Sequence, residues 1–341
     1  MAAGLVLAAL SASIALADGG PHVVSDNSGM NPLTGTCGSC HRAHTAKGPS
    51  LIIAASNTAL CMTCHGTGGL GATTDVSDGV LAGTTQGLRG GGFSYALMDT
   101  SWTSTVSNPA TSRPTTSTHV IDGLSDVTMW GNGALGTPNA GTSVTLECTS
   151  CHNPHGNNTY RILRPIPVDS GASGGITVAD GTGLAYTVPR TNNRYFGDAY
   201  TGWPWTYSMT QWCAQCHTRY DAVNTSASGL GGPGSINSGD TLFSFRHMTR
   251  FENWINCTVC HKGPGGTGRA PDPLGVGSSG FSHEPVCLSC HVAHGTAATT
   301  NVSAGSVPWP NGATTPSGNA RSSLLRLDNR GVCQGCHDPT K

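Results

Sequence analysis

Seven copies of the pattern Cys-x-x-Cys-His run along the 341-residue chain and together use all 14 of its cysteines. This pattern is the attachment signature of c-type haem, in which both thiols bond to the porphyrin edge and the histidine ligates the iron. Cys-x-x-Cys also opens zinc ribbons, but a zinc site gives no reason for a histidine after every pair. The sequence therefore predicts seven covalently bound c-type haems and leaves no cysteine for a disulfide.

The predicted attachment residues form seven pairs along the chain. The cysteines are Cys37, Cys40, Cys61, Cys64, Cys148, Cys151, Cys213, Cys216, Cys257, Cys260, Cys287, Cys290, Cys333 and Cys336. The histidines that follow them are the predicted proximal iron ligands, His41, His65, His152, His217, His261, His291 and His337. Each lies about one helical turn from the first cysteine of its pair, so its ring can reach the iron of the haem bound there.

The histidine count matches a second ligand for every iron. The chain has 14 histidines, and those outside the motifs are the predicted distal ligands: His22, His44, His119, His155, His247, His283 and His294. Methionine is the rival ligand, with Met129 and Met248 best placed, and it would raise the reduction potential. Imidazole on both faces closes an iron to substrate, so the count favours an electron carrier over an enzyme.

Three motifs carry another histidine three residues after the first, as in residues 148–156, CTSCHNPHG. Rings from neighbouring points of one turn cannot grip opposite faces of one flat porphyrin, so His155 is expected to serve a different iron from His152. The same spacing recurs at His41/His44 and His291/His294. Each such turn should hold two haems close together.

The polypeptide is poor in residues that build a core. Hydrophobic residues make up 37% and aromatic residues 6%, while Gly and Pro supply 48 and 20 residues. Helical and strand periodicities are almost absent. We therefore expect a multihaem cytochrome c fold that is mostly coil, with short helices and turns wrapped around a continuous haem chain and little β structure. Aromatic residues cluster between 195 and 212, where they should pack on haem faces or form a local core.

The motif spacings are irregular, so no tandem repeat is expected, and residues 18–341 should form a single heptahaem domain. Residues 1–17 are small and apolar and end in Ala15-Leu16-Ala17, which is typical of a secretory signal peptide. No other stretch is apolar enough to cross a bilayer, so no membrane span is expected in the mature chain. Only 10% of residues are charged and the net charge is −1, which argues against a nucleic-acid partner.

The runs CTSCHNPHGNNTYRIL, MTQWCAQCHT and CLSCHVAH, with a last Cys-x-x-Cys-His near the C-terminus, resemble the outer-surface multihaem cytochromes that polymerise into conductive filaments. The order of motifs matches over most of the mature chain, and CGSCHRAH and LCMTCH resemble the first two sites of that family. The motif at residues 257–261 is an additional site.

The resemblance implies haems stacked in alternating parallel and roughly perpendicular pairs, within a homopolymer whose subunits each donate one distal histidine to a neighbour. His44 is the better match for that ligand, and His22 is the runner-up. The implied function is extracellular electron transfer by haem-to-haem hopping, from redox partners in the cell envelope to an extracellular acceptor. The implied location is secreted, at the cell surface or beyond, with the periplasm as the alternative.

Three other functions fit the same residue types. The chain could be a soluble periplasmic electron shuttle, which needs the same haems and no polymer. It could be a multihaem oxidoreductase, although such an enzyme needs one open iron and the histidines suffice for every haem. It could also be a structural subunit of a membrane complex.

Overall fold

The computed structural model describes residues 22, 37–69, 72–96, 119–129, 131–133, 141–179, 187–191, 194–195, 203–221, 287–296 and 324–326. These ranges hold five of the seven attachment motifs and five of the seven predicted distal histidines. The motifs at 257–261 and 333–337, His247, His283, Met248 and the predicted signal peptide at 1–17 lie outside the described residues.

Within the described ranges the chain forms five short α-helices, four of which carry attachment cysteines. They are α1 (Asn57–His65), α2 (Phe93–Ala96), α3 (Cys148–Cys151), α4 (Trp203–Cys213) and α5 (Cys287–Cys290). Single 3-10 turns cover Cys37–Ser39, Pro49–Leu51, Tyr160–Ile162 and Thr218–Asp221. Helix α1 begins where the Ser56 hydroxyl accepts a hydrogen bond from the Ala59 amide (3.1 Å), which is an N-cap. None of these described helices has the length and apolarity to span a bilayer.

The strands of the described part are two or three residues long. They are β1 (Thr74–Asp75), β2 (Val80–Leu81), β3 (Gly87–Leu88), β4 (Asp126–Thr128), β5 (Ser143–Thr145), β6 (Thr187–Val188), β7 (Arg190–Thr191) and β8 (Arg194–Tyr195). An antiparallel sheet has the order β1-β2-β3-β6, while β4 pairs with β5 and β7 with β8. Gly79 and Gly83, at φ of 68° and 76°, permit the tight reversals on either side of β2. The expectation of few helices and little strand agrees with these elements.

Apolar packing in the described ranges is divided among small clusters. One contains Tyr160, Leu163, Val178 and Met209, with Trp212 packed against it. The others form around Phe93 and Ile121, around Val127, Met129 and Val144, and between Val188 and Val292. The Trp212 indole donates to the carbonyl of Arg164 (2.6 Å), so this member of the aromatic stretch belongs to a local core. Clusters of this size agree with the low hydrophobic content.

The three motifs with a second histidine share one backbone arrangement, although the spacings between motifs are irregular. The chain returns after each motif and pairs with the proximal histidine, at His41–Ile52, His152–Leu163 and His291–Leu325. The backbone amide of the residue after each histidine donates to a backbone carbonyl of the returning segment. These bonds are Arg42–Leu51, Asn153–Ile162 and Val292–Leu324 (2.8 Å each). A backbone amide of the returning segment donates to the backbone carbonyl of the second cysteine of the motif. These bonds are Ile53–Cys40 (3.0 Å), Arg164–Cys151 and Arg326–Cys290 (both 2.8 Å). These bonds fix each motif against the segment that returns to it from further along the chain.

Candidate haem-iron sites

No disulfide joins the ten cysteines of the described motifs. Within the ranges that the structure describes, no three His, Cys, Asp or Glu side chains converge as they would around a metal held by protein alone. A structural zinc site needs four such ligands. The described motifs therefore show no zinc-ribbon arrangement.

Each described motif folds so that its histidine returns over the first cysteine. The backbone amide of the histidine donates to that cysteine's carbonyl at His41–Cys37 (2.8 Å), His152–Cys148 (3.0 Å), His217–Cys213 (3.2 Å) and His291–Cys287 (2.9 Å). His65 lies in the last turn of α1, together with Cys61 and Cys64. The offset of one turn between cysteine and histidine is the one that the spacing predicts.

The thiols of consecutive described motifs interact with one another. The interacting pairs are Cys40 and Cys64, Cys61 and Cys148, Cys151 and Cys216, and Cys213 and Cys287. Burial, followed by the neighbouring thiol of Cys216, raises the pKa of Cys151 to about 12. The motifs at 37–41, 61–65, 148–152, 213–217 and 287–291 therefore follow each other in space as they do in the chain, and groups bonded to their thiols would be neighbours in that order.

Within the described residues, histidine rings come close to each other in four pairs, and we call the two rings of each pair opposed. Their ring centroids are 5.9 Å apart in His22–His65, 6.2 Å in His41–His155, 6.2 Å in His119–His217 and 6.4 Å in His152–His294. Two imidazoles that share one metal through bonds of about 2 Å have centroids roughly 6 Å apart. Each pair joins one predicted proximal histidine to one predicted distal histidine, so the spacing fits an iron between them.

Hydrogen bonds at Nδ1 hold the rings of these pairs. The Nδ1 atoms donate to backbone carbonyls at His41–Ser50 (2.9 Å), His152–Arg161 (2.8 Å), His22–Pro154 (3.0 Å) and His119–Ala293 (2.8 Å). Because a carbonyl only accepts, Nδ1 must carry the proton, and the lone pair is left on Nε2. A hydrogen bond at the ring nitrogen that does not bind the metal is what orients histidine ligands in metal sites.

The surroundings of the rings favour the neutral imidazole that a metal needs. Burial, followed by the opposing His217, lowers the pKa of His119 to about 4. Burial, followed by His152, lowers the pKa of His294 to about 3, although both side chains keep some surface accessible to solvent. Burial also lowers the pKa of His65 and His152. These rings are therefore uncharged at neutral pH before any metal is bound.

Acid should release these ligands only well below pH 6.5, the ordinary histidine value. Protons compete with iron for Nε2, and burial weakens that competition at His119 and His294. In the metal-free chain the unfolded state binds more protons than the folded state between about pH 3 and pH 6.5, so the stability contributed by these neutral rings is complete above pH 6.5 and is lost as the pH falls through that range. An optical titration of the haem protein should show low-spin absorption persisting to about pH 4; a high-spin transition near pH 6.5 would contradict this reading.

Two of the turns with a second histidine each contribute groups to three different haem-iron sites. We call residues 152–155 and 291–294 connector turns. In the first, His155 lies opposite His41, and the carbonyl of Pro154 accepts from His22. In the second, His294 lies opposite His152, and the carbonyl of Ala293 accepts from His119. Each connector turn thus supplies a proximal histidine, a ring for a second site and a carbonyl that orients the ring of a third.

Comparison with known proteins agrees with the motif chemistry. Residues 31–69 match a family model described as a doubled CXXCH motif. The chain is 26% identical over 329 residues to the C-type cytochrome OmcS of Geobacter sulfurreducens, covering 77% of this chain and 74% of the relative. The chain is thus similar to OmcS, and it carries the attachment motif of multihaem c-type cytochromes. In structure it matches the Outer Membrane Cytochrome S filament of the same organism at 20% identity and a TM-score of 0.35, covering 88% of this chain and 97% of that one.

Two predicted ligand residues lie outside the ring pairs. His44 is exposed, and the described residues bring no histidine ring opposite it. Met129 is buried with Val127 and Val144, and Cys216 packs against that cluster. The ring opposite His217 is His119, which argues against Met129 as the ligand there.

Two buried polar atoms lie at the 213–217 motif, one within it and one three residues before it. Thr210 is 1% exposed and Gln215 is 7% exposed. The Thr210 hydroxyl and the Gln215 Oε1 atom have no hydrogen-bond partner among the described residues. Burying such groups without partners costs free energy, so water or a bound group with a hydrogen-bond donor is expected beside the Gln215 oxygen.

The residues that orient the rings were missed by sequence reasoning. Ser50 and Arg161, whose carbonyls accept from His41 and His152, have positive φ angles of 57° and 51°. Non-glycine residues rarely adopt this conformation, and where they do the strain often serves a functional site. The one signal in the sequence is the short apolar segment after each motif, such as SLII at 50–53 and RIL at 161–163.

Proposed function

We propose that this chain carries electrons outside the cell through seven c-type haems, each with two histidine ligands. The observation that carries the proposal is the set of four opposed ring pairs at 5.9–6.4 Å. With imidazole on both faces an iron has no open position for substrate, so these sites suit electron transfer and not catalysis. Bound haems would supply Fe(III)/Fe(II) couples of low potential along which electrons hop.

The protein's part is to fix the spacing and orientation of the irons. We assign His41 and His155 to the 37–41 haem, His65 and His22 to the 61–65 haem, His152 and His294 to the 148–152 haem, and His217 and His119 to the 213–217 haem. The distal histidines that remain are His44, His247 and His283, and the motifs that remain are those at 257–261, 287–291 and 333–337. Three rings for three irons keeps the ligand count complete.

We infer that the chain assembles with further copies of itself through residues 41–44. This turn has the sequence pattern and the backbone bonds of the two connector turns. In those turns the second histidine and the carbonyl before it both act on other haem sites. The equivalent groups here are the His44 ring and the Ala43 carbonyl, and both residues are exposed. The runner-up His22 lies opposite His65 of its own chain, which favours His44 as the ligand given to a neighbour.

Replacing His44 with alanine is expected to weaken filament formation by at least about tenfold, because each subunit junction would lose a metal bond. The secreted protein, isolated without denaturant, would be examined by electron microscopy and by its low-spin haem absorption. Thr45→Ala, at the next exposed position, is the matched control and should form filaments as the unchanged protein does.

The competing function is a soluble periplasmic shuttle with the same haems. Discrete particles of the unchanged protein, with every iron ligated from within one chain, would establish the shuttle and refute the filament. If His44→Ala forms filaments of normal length, His44 is not the ligand given to a neighbour, and the filament proposal itself is unaffected. Either result leaves electron transfer through bis-histidine haems in place, since that proposal depends on the ring pairs within one chain.

A further inference from the structure

The ring of His65 is oriented by a side chain, whereas the rings of His41 and His152 are oriented by backbone carbonyls. Its Nδ1 atom lies 2.9 Å from the hydroxyl of Thr74 and 3.3 Å from the carbonyl of the same residue. The first distance is an ordinary hydrogen bond, and the second is at the long limit. The hydroxyl is therefore the main acceptor for this ring.

The local structure holds the Thr74 hydroxyl in place. Thr74 begins β1 and is paired with Leu81 of β2. The amide of Val76 donates to the carbonyl of His65 (2.7 Å), which ties β1 to the end of α1. The distance from the hydroxyl to the ring is thus set by a short sheet and a helix that are bonded to each other.

An acceptor at Nδ1 makes a histidine a more basic ligand, which favours the higher oxidation state of the metal bound at Nε2. A carbonyl is a fixed acceptor, while a hydroxyl can be removed by one substitution. We propose that Thr74 is a positioning residue that sets the reduction potential of the 61–65 haem by accepting the Nδ1 hydrogen of His65. The proposal rests on the bis-histidine ligation described above.

The test compares Thr74→Val with Thr74→Ser in the full, haem-loaded chain. Valine keeps the shape and removes the acceptor, whereas serine keeps the hydroxyl. Thr63→Val is the matched control, because Thr63 lies in the same motif and its hydroxyl donates to the carbonyl of Ala59 (3.0 Å). A potentiometric titration followed by electron paramagnetic resonance would resolve the low-spin ferric components.

In Thr74→Val we expect one component to move to higher potential, with the Fe(II)/Fe(III) ratio at the original midpoint increased about tenfold, which equals 59 mV for one electron. Thr74→Ser and Thr63→Val should leave every component in place. Thr74→Ala serves as a second variant without the hydroxyl and should repeat the shift.

An unshifted component in both Thr74→Val and Thr74→Ala, with all haems still low-spin, would overturn the role of Thr74. An equal shift in Thr63→Val would overturn it as well, because the effect would then belong to the helix and not to the ring. A high-spin signal at this haem in the unchanged protein would refute the ligation itself, so the two failures can be told apart.

Discussion

Replacing His294 with alanine is expected to convert one of the seven proposed low-spin haems to a high-spin form with an open position. The ring of His294 lies 6.4 Å from that of His152, so its loss removes one of the two imidazoles at the 148–152 site. The low-spin signal of the fully oxidised (ferric) protein should fall by one seventh. Added imidazole should restore that fraction, and His294→Met should give a low-spin haem of higher potential.

Phe93→Leu is the matched control for the loss of packing. The Phe93 ring stacks on His294 with centroids 4.2 Å apart, so this substitution disturbs the same position and keeps the imidazole. We expect the control to lower stability and to preserve the low-spin signal. A full low-spin spectrum in His294→Ala, unchanged by imidazole, would show that His294 is not an iron ligand.

The second large effect is expected at Gly91, where alanine should destabilise the fold by about 2–5 kcal/mol. Gly91 has a φ of +78°, and a Cβ atom there would lie 2.3 Å from the carbonyl oxygen of Gly295 and 2.9 Å from Val292 Cγ2. The Gly91 carbonyl also lies 3.3 Å from Nδ1 of His294. Pushing these segments apart should therefore move His294 away from His152 and reduce the low-spin signal of that site.

Gly83→Ala is the matched control for Gly91→Ala, because it introduces the same backbone strain without the steric clash. Gly83 has nearly the same φ, +76°, and a Cβ atom there would have nothing within 4 Å. It should cost only about 1 kcal/mol and leave all haems low-spin. Thermal unfolding and the ferric spectrum of both variants would be compared. Equal losses of stability would mean that the contact between Gly91 and Gly295 contributes little.

The attachment chemistry could be predicted from the sequence because it is local. Two thiols and an imidazole within five residues define a site without knowledge of the fold, and the predicted resemblance to multihaem c-type cytochromes is confirmed. The three-residue spacing of His152 and His155 also excludes a shared iron by geometry alone. The ring of His155 lies 6.2 Å from that of His41, which belongs to another motif, and its service to that iron stays a prediction.

The pairing of rings could not be predicted, because no local pattern encodes it. His119 bonds to the carbonyl of Ala293 across 174 residues of chain, through segments rich in Gly, Ser and Thr that carry no periodicity. The acceptor carbonyls at Ser50 and Arg161 depend on positive φ angles that neither residue type prefers. The β1-β2-β3-β6 sheet has strands too short to leave an alternating pattern.

The order of the ring pairs along the chain has a consequence for how the protein is made. A polypeptide emerges N-terminus first, so His22 and His119 are present before the motifs whose proximal rings, His65 and His217, they oppose. The rings opposite His41 and His152 come from the connector turns downstream. With the proposed ligands, the 37–41 and 148–152 irons would wait for later residues during export, exposed to small ligands such as peroxide or carbon monoxide. A chain cut short between residues 155 and 294 would keep that exposure permanently at the 148–152 iron.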